Sequence, residues 1–348
     1  MTEWINEPIK ELSVERLNEA LEHQSQLTKP PGSLGRMEEL AVLLCALQDT
    51  SRPTLERVSI RVFAADHGVV AEGVSAFPQE VTVEMIRNFA NGGAAISVLA
   101  EAQQADFAVV NMGTVVPATE HAKVIQNPIG PGTNNFCDQP AMTGEQLAQA
   151  LKAGSDIAEE LHQQQCQLFI GGEMGIGNTT TAAALACALM SESPEKLVGL
   201  GTGVDAEGLQ RKMDVVARAL EFHKGELDSP LASLQRLGGF EIVALTGAYL
   251  RCAQLGIPSL VDGFICSVAA LAAMQINQSC QDWLLFSHQS AERGHARVLE
   301  VLEADPLLNL DMRLGEGSGA AVALPLLKLA CELHNKMATF ENAGVSTE

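Results

Sequence analysis

The sequence predicts an α/β fold, a doubly wound and mostly parallel sheet, with a smaller helical domain formed by the N- and C-terminal segments. Three observations predict it. Short apolar runs that stop at small or polar residues recur along the chain. Helix-like segments lie between several of them, and strand–helix alternation favours a parallel sheet. Hydrophobic residues make up 47% of the 348 positions while aromatics make up only 4%, so the core is built from Ala, Val, Leu and Ile. That composition suits strands covered on both faces by helices.

Taken in order, residues 9–27 and 36–48 read as amphipathic helices around 28-TKPPGSLGR-36, whose tandem prolines and glycines forbid a helix and imply a fixed turn. The first strand is 57-RVSIRVFAADHG-68, and the pattern returns at 106-DFAVVNMGT-114, 167-QLFIGGEMG-175, 257-IPSLVDGF-264 and 283-WLLFSHQS-290. Helices are expected at 79–101, 142–163, 205–224, 239–256 and 263–277. The terminal segments, 1–50 and 318–348, are expected to form the small domain, leaving 51–317 as the large domain with the active site. In such sheets ligands bind beyond the carboxyl ends of the strands. Asp66, His67, Glu173, Asp262, His288 and Ser290 all follow an apolar run.

The formal net charge is -21, with no cluster of Lys and Arg. Binding to DNA, RNA or an anionic membrane needs such a cluster, so those partners are excluded. The eight cysteines are scattered and none forms C-x-x-C, which points to buried free thiols in a reducing compartment. The N-terminus has no apolar signal core, and no stretch is long and apolar enough to span a membrane. The expected location is the cytoplasm.

Five stretches carry candidate chemistry. In 171-GGEMGIGNTTTAAA-184 a strand leads through glycines into Asn178, three threonines and an alanine-rich helix. Free amides at that helix start would hold an anion, naturally a phosphate; an ordinary Asn/Thr cap after a glycine turn is the alternative. The P-loop spacing is absent. In 199-GLGTGVDAEG-208, Gly201, Gly203 and Ala206 have G-x-G-x-x-A spacing, but the preceding run is short and no acid follows at the end of a second strand, so a turn is the better reading. Lys212 beyond it becomes a countercharge if the glycine loop holds phosphate.

The stretch 63-FAADHGVVAEGVSAFPQEVT-82 holds Asp66 and His67 without a second His at metal spacing. No metal is expected there; the pair would shape a turn and contact polar groups of a substrate. In 285-LFSHQSAERGHARVLE-300, Ser290 is placed to cap a helix, and G-x-S-x-G is absent, so acyl-transfer hydrolysis is poorly supported. Finally, 314-LGEGSGAA-321 sets Glu316 among glycines at the mouth of an apolar helix, where interaction with the helix dipole alone would account for it.

Together, 29-KPPGSLGRMEELA-41, 66-DHGV-69, 171-GGEMGIGNTTTAAA-184, 258-PSLVDGF-264 and 313-RLGEGSGAA-321 resemble the nicotinate-nucleotide:5,6-dimethylbenzimidazole phosphoribosyltransferases of cobalamin biosynthesis. The motifs run in the family's order from residue 29 to about 330. The resemblance implies a Rossmann-like large domain, a homodimer, no metal or cofactor, and nicotinate mononucleotide and 5,6-dimethylbenzimidazole as substrates. It implies Glu316 as the general base, with inversion at C1′. It implies Gly175, Gly177, Asn178, Thr179, Thr180 and Lys212 around the 5′-phosphate, with Asp262 and Ser290 lining the nucleotide site. Glu173 would stabilise charge on the ribose or bind a hydroxyl. Phe77, Met85, Met174 and Leu314 would form the slot for the flat base. Two rival readings are an NAD-dependent oxidoreductase using Gly201–Ala206 and a non-catalytic nucleotide sensor. An assay of nicotinate release separates all three.

Overall fold

The computed structural model describes residues 2–201, 203 and 205–346. Met1, Thr347 and Glu348 of the terminal segments lie outside the described residues, as do Thr202 and Val204 of the second glycine run. Six parallel strands form one sheet: β1 (Val58–Ala65), β2 (Asp106–Gly113), β3 (Val124–Gln126), β4 (Leu168–Met174), β5 (Ser259–Val261) and β6 (Leu284–Phe286). Their order is β3-β2-β1-β4-β5-β6, so the winding direction reverses between β1 and β4. That reversal opens a crevice at the carboxyl ends of the strands.

β1 is buried along its whole length, as a strand sandwiched between helices must be. Its one charge, Arg61, is neutralised by Asp106 of the neighbouring strand at 2.6 Å. The register sets Ala64 beside Met174, which brings the ends of β1 and β4 level where the site forms.

Fourteen α-helices are present among the described residues, beside three short 3-10 helices. The first five are α1 (Val14–Gln26), α2 (Arg36–Gln48), α3 (Glu80–Ala90), α4 (Ala95–Gln103) and α5 (Gly144–Gln163). Then come α6 (Asn178–Met190), α7 (Pro194–Leu197), α8 (Ala206–Phe222), α9 (Pro230–Leu237) and α10 (Phe240–Leu255). The last are α11 (Phe264–Ile276), α12 (His295–Val301), α13 (Ser318–Lys336) and α14 (Phe340–Ala343). Local chemistry explains many ends. Thr143 and Gln146 form a reciprocal capping box on α5, and Asp205 caps α8 through the amide of Gly208.

The expected helix over 79–101 is two helices, because Asn91, Gly92 and Gly93 break it and Gly92 takes φ +84°. β3, α7 and α9 were not anticipated, and little periodicity marks them. At the termini α1, α2 and α13 pack together. His334 of α13 lies 2.9 Å from Gln24, its carbonyl lies 2.9 Å from the His23 ring, and Leu27 pairs with Thr339. Leu40, Ala41, Leu44 and Leu47 of α2 continue into the main core, so these helices share its interior.

Helices α5 and α10 approach backbone to backbone at two glycines. A Cβ on Gly154 would collide with the Ala244 carbonyl, and one on Gly247 with the Leu151 carbonyl. Since α10 begins beneath the candidate site, this contact also sets its position. Gly154→Ala is expected to push the helices apart and to cost about 1–3 kcal/mol, the range for overpacking. Urea unfolding reads this directly; an unchanged midpoint would show slack at the crossing.

Candidate active site

The glycine loop after β4 enters α6 with Gly177 at the cap position, φ +96°, and no side chain caps the helix. The polar side chains of the first turn are engaged elsewhere. Asn178 donates to the Glu173 carboxylate, Thr179 accepts from Lys212 Nζ at 3.0 Å, and Thr181 lies 2.9 Å from His67 Nδ1. The Asn/Thr-cap alternative therefore does not hold, and the helix start keeps its anion-attracting character. Lys212 reaches this place from α8 with 1% of its surface exposed. Burial pushes its ammonium down to about 8, and no carboxylate among the described residues pairs with it.

The acid at the head of α13 sits in a turn of three left-handed residues: Gly315 (φ +88°), Glu316 (φ +66°) and Gly317 (φ +85°). A non-glycine residue reaches that region only when its surroundings impose it. Asp262, just past β5, supplies the constraint. One of its oxygens accepts from the Gly317 amide at 3.1 Å and the other from the Ala320 amide at 2.9 Å. The turn rests on β4 at Gly172, where any Cβ would collide with the Glu316 carbonyl. The Glu316 amide lies 3.4 Å from a Glu173 oxygen.

Glu316 is buried, and its Oε2 has no hydrogen-bond partner among the described residues. Burial pushes its carboxyl up to about 7, against a hydrogen bond from the Ile96 backbone and with added repulsion from Asp262. Burial pushes Glu173 up to about 8, reinforced by the charges of Asp262 and Glu241. Asp262 is also raised by burial, with His288 and three backbone amides opposing.

The third wall follows β6. The His288 ring lies 3.8 Å from Asp262 and 3.1 Å from the Ser287 hydroxyl. Ser290 donates its amide to His295 Nδ1 at 2.8 Å. That bond makes Nδ1 the acceptor, so Nε2 carries the hydrogen facing Ser267 Oγ at 2.9 Å. Burial drives His295 down to about 3, which keeps the ring neutral. The Ser290 hydroxyl accepts from the Glu292 amide in a local turn; α12 begins only at His295, so the expected helix cap is not there.

These elements enclose a cavity of about 530 Å³, within the usual range for small-molecule sites. Glu173, Met174, Gly175, Asn178, Thr179, Asp262, Ser290, Leu314 and Glu316 all line it. Gly177, Thr180 and Lys212 stand behind that wall rather than on it. Phe77 and Met85 are not on it either: Phe77 is 48% exposed on the loop before α3, and Met85 on α3 packs against the core. Asp66 and His67, expected to contact polar groups of a substrate, do not line the cavity either. Asp66 accepts from the Val115 amide at 2.8 Å, and His67 is fully buried beneath α6, 2.9 Å from the equally buried Glu241 of α10. Sequence reasoning missed Glu241, Thr181, His295 and the cavity-lining Arg313. A carboxylate at the start of the apolar stretch 238-GGFEIVALTG-247 was the one available signal for Glu241.

The second glycine run lacks the strand that a dinucleotide fingerprint needs, because helix α7 precedes it. Gly201 instead abuts the phosphate-loop side: a Cβ there would come within 2.9 Å of Lys212 Nζ.

The raised Glu173 carboxyl has a consequence for stability. Its folded pKa of about 8 exceeds the ordinary carboxylate value of 4.5, so the folded state holds a proton that the unfolded state releases between those pH values. Stability from this group is full below about 4.5 and is lost as pH rises to about 8. Glu173→Gln is expected to raise the unfolding free energy at pH 8–9, by a few kcal/mol at most, and to change it little at pH 4–5. A variant less stable than wild type at pH 9 would contradict a buried, protonated Glu173.

A family model described as phosphoribosyltransferase matches residues 9–345. The nicotinate-nucleotide–dimethylbenzimidazole phosphoribosyltransferase of Pseudomonas fluorescens is 57% identical over 343 residues, covering 99% of this chain and 98% of that protein. The protein of the same name from Xanthomonas axonopodis pv. citri is 59% identical over 327 residues, 94% of each chain. A crystal structure of the Thermus thermophilus protein of that name superposes with a TM-score of 0.90 at 44% identity, covering 97% of this chain and all of the other.

Proposed function

This chain belongs to the nicotinate-nucleotide–dimethylbenzimidazole phosphoribosyltransferase family, and on that premise we propose that it transfers the 5-phosphoribosyl group of nicotinate mononucleotide to 5,6-dimethylbenzimidazole. The products are α-ribazole 5′-phosphate and nicotinate, a step of cobalamin nucleotide-loop assembly. One observation carries the reading: a single cavity sets the buried carboxyl of Glu316 together with the uncapped phosphate-type loop Gly175–Thr179.

In this mechanism one nitrogen of the benzimidazole attacks C1′ of the ribose while its other nitrogen bears a hydrogen. The ring becomes cationic as the bond forms, so a base that removes the proton lowers the barrier. Nicotinate leaves as a neutral ring nitrogen and needs no general acid. Attack on the face opposite the leaving group inverts the anomeric carbon from β to α. Glu316 is the base: a carboxyl raised to about 7 accepts a proton far better than an ordinary surface glutamate.

The 5′-phosphate sits on the loop at Gly175, Asn178 and Thr179, with Gly177 and Thr180 shaping that loop from behind the cavity wall. Lys212 acts through Thr179 and through its own charge. Met174 and Leu314, with Phe264 and Ile265, offer the apolar surface for the flat base. Glu173 faces the ribose, and Ser290 and Asp262 border the nucleotide. Asp262 acts chiefly by holding the Glu316 turn, because both its oxygens already accept from backbone amides. The same reading includes a homodimer in the cytoplasm and a small domain of 1–50 with 318–348 beside a large domain of 51–317. Among the described residues no helix is long and apolar enough to cross a membrane.

Nicotinate release, measured with and without dimethylbenzimidazole, tests the proposal. Release that depends on the base is expected, and none under any condition would sink the transferase reading. A base must be deprotonated to act, so kcat/KM is expected to climb with pH to a plateau through about 7. Glu316→Gln is expected to lose roughly 10²–10⁴-fold in kcat, the usual contribution of a positioned base. Near-normal turnover in that variant would remove Glu316 from the role while leaving the transferase reading intact.

A further inference from the structure

Acidic residues outnumber Lys and Arg by 43 to 22, so a hollow without carboxylates is notable in this chain. One lies at the end of the sheet away from the candidate site, beyond the amino ends of β1, β4 and β5, where Arg57, Gln167 and Pro258 lead into those strands. Its volume is about 670 Å³. Lys10, Arg52, Arg57 and His162 line it, with amide and hydroxyl side chains between them and no Asp or Glu. None of these three Lys and Arg side chains pairs with a carboxylate among the described residues.

The wall is tied in place. Arg57 donates through Nε to the carbonyl of Gln165 at 2.8 Å, and Gln165 holds the left-handed φ of +58°. The Gln167 side-chain oxygen accepts from the Arg57 amide at 2.9 Å, and its nitrogen donates to the Thr54 hydroxyl at 2.6 Å. Thr54 is bound in turn to Gln48 through both its amide and its carbonyl. The Arg52 amide donates to the Thr50 hydroxyl at 3.2 Å. Lys10 is fixed by its carbonyl, which accepts from the Trp283 indole at 2.8 Å, and its side chain lies across Gly256, where a Cβ would be 2.8 Å from Nζ. Three cations thus surround one concavity, Arg52 and Arg57 from the loop between α2 and β1 and Lys10 from the segment before α1.

We propose that this groove binds a small phosphate-bearing anion at a site distinct from the catalytic cavity. Two guanidinium forks and an ammonium match the oxygens of a phosphate or pyrophosphate. The missing carboxylates remove the repulsion that the rest of the surface imposes. The volume suits a small molecule rather than a single ion.

Calorimetric titration of the whole protein with inorganic pyrophosphate at low salt tests it, using wild type, Arg52→Gln/Arg57→Gln and Lys212→Gln. Two sites per chain are expected in wild type. The double variant is expected to weaken one at least tenfold while its KM for nicotinate mononucleotide stays within twofold. Lys212→Gln is expected to weaken the other. Lys10→Gln, on a separate segment, is expected to reproduce the groove effect in part. A single site that Lys212→Gln alone weakens would overturn the proposal, as would a double variant with the wild-type isotherm. A double variant that changes oligomeric state by light scattering yet keeps both sites would also overturn it, assigning the groove to contact between copies of the chain.

Discussion

The candidate site depends on one buried carboxylate whose oxygens are both engaged by backbone amides. Asp262 accepts from two amides at the head of α13, and through them it holds Glu316 in a conformation that a glutamate would not choose. Helix starts carry amides without intrahelical partners, so a buried start must find acceptors elsewhere. Asp262 supplies both from the end of β5, which fixes the distance between the sheet and the C-terminal helix. Gly172 completes the arrangement from below, because only a residue without a side chain lets the turn lie on β4. Glu316 therefore sits where the strand ends put it, and freedom in the terminal helix would not move it far.

A second constraint comes from crowding three acids into one dry hollow. Glu173, Asp262 and Glu316 all have raised carboxyl pKa values, burial being the largest cause each time, and the charge of Asp262 raises the other two further. They differ in compensation. Asp262 has two amide donors and a nearby His288; Glu173 has the Asn178 amide group and the distant Glu316 amide; the Glu316 oxygens have least. The least compensated acid is the one with an oxygen free for a ligand. A group that becomes positively charged in this hollow would relieve both the desolvation and the mutual repulsion, which is the electrostatic form of complementarity to a cationic transition state.

Much of this was legible because the residues concerned sit at sharp changes of local character. Glu173, Asp262 and Glu316 each interrupt apolar or glycine-rich sequence at the end of a run, and a carboxylate in such a place is either a structural acceptor or a reactive group. Sequence alone could not say which, and the structure divides them: Asp262 is spent on backbone amides while Glu316 is not. The five longer apolar runs also showed the sheet, since parallel strands buried on both faces must be apolar throughout. What escaped was of two kinds. The edge strand β3 escaped because only Val124 of its three residues is buried and polar residues flank it, which leaves no apolar run like those of the equally short β5 and β6. Partnerships across the fold, such as His67 with Glu241 and Asp262 with His288, join segments whose proximity exists only once the strands are ordered. Phe77 and Met85 lie off the cavity, one on an exposed loop and the other packed against the core, and nothing in their local sequence marks that difference.

Burial acts on both signs of charge here, and in opposite directions. It lifts Glu173 and Glu316 toward neutrality from below and brings Lys212 toward neutrality from above, to about 8, 7 and 8. Near neutral pH the interior of the site is thus close to the point where each group exchanges a proton. A phosphate near Lys212 would favour its charged form and push its pKa back up, while a developing cation near Glu316 would favour the carboxylate. Charged reactants would in this way set the protonation states they need, each arriving group stabilising the opposite charge in the protein. An acidic surface could not do this, because water screens exposed groups and holds them at their ordinary values. The same burial that costs stability in the carboxylates therefore gives the site its sensitivity to the charge of what enters it.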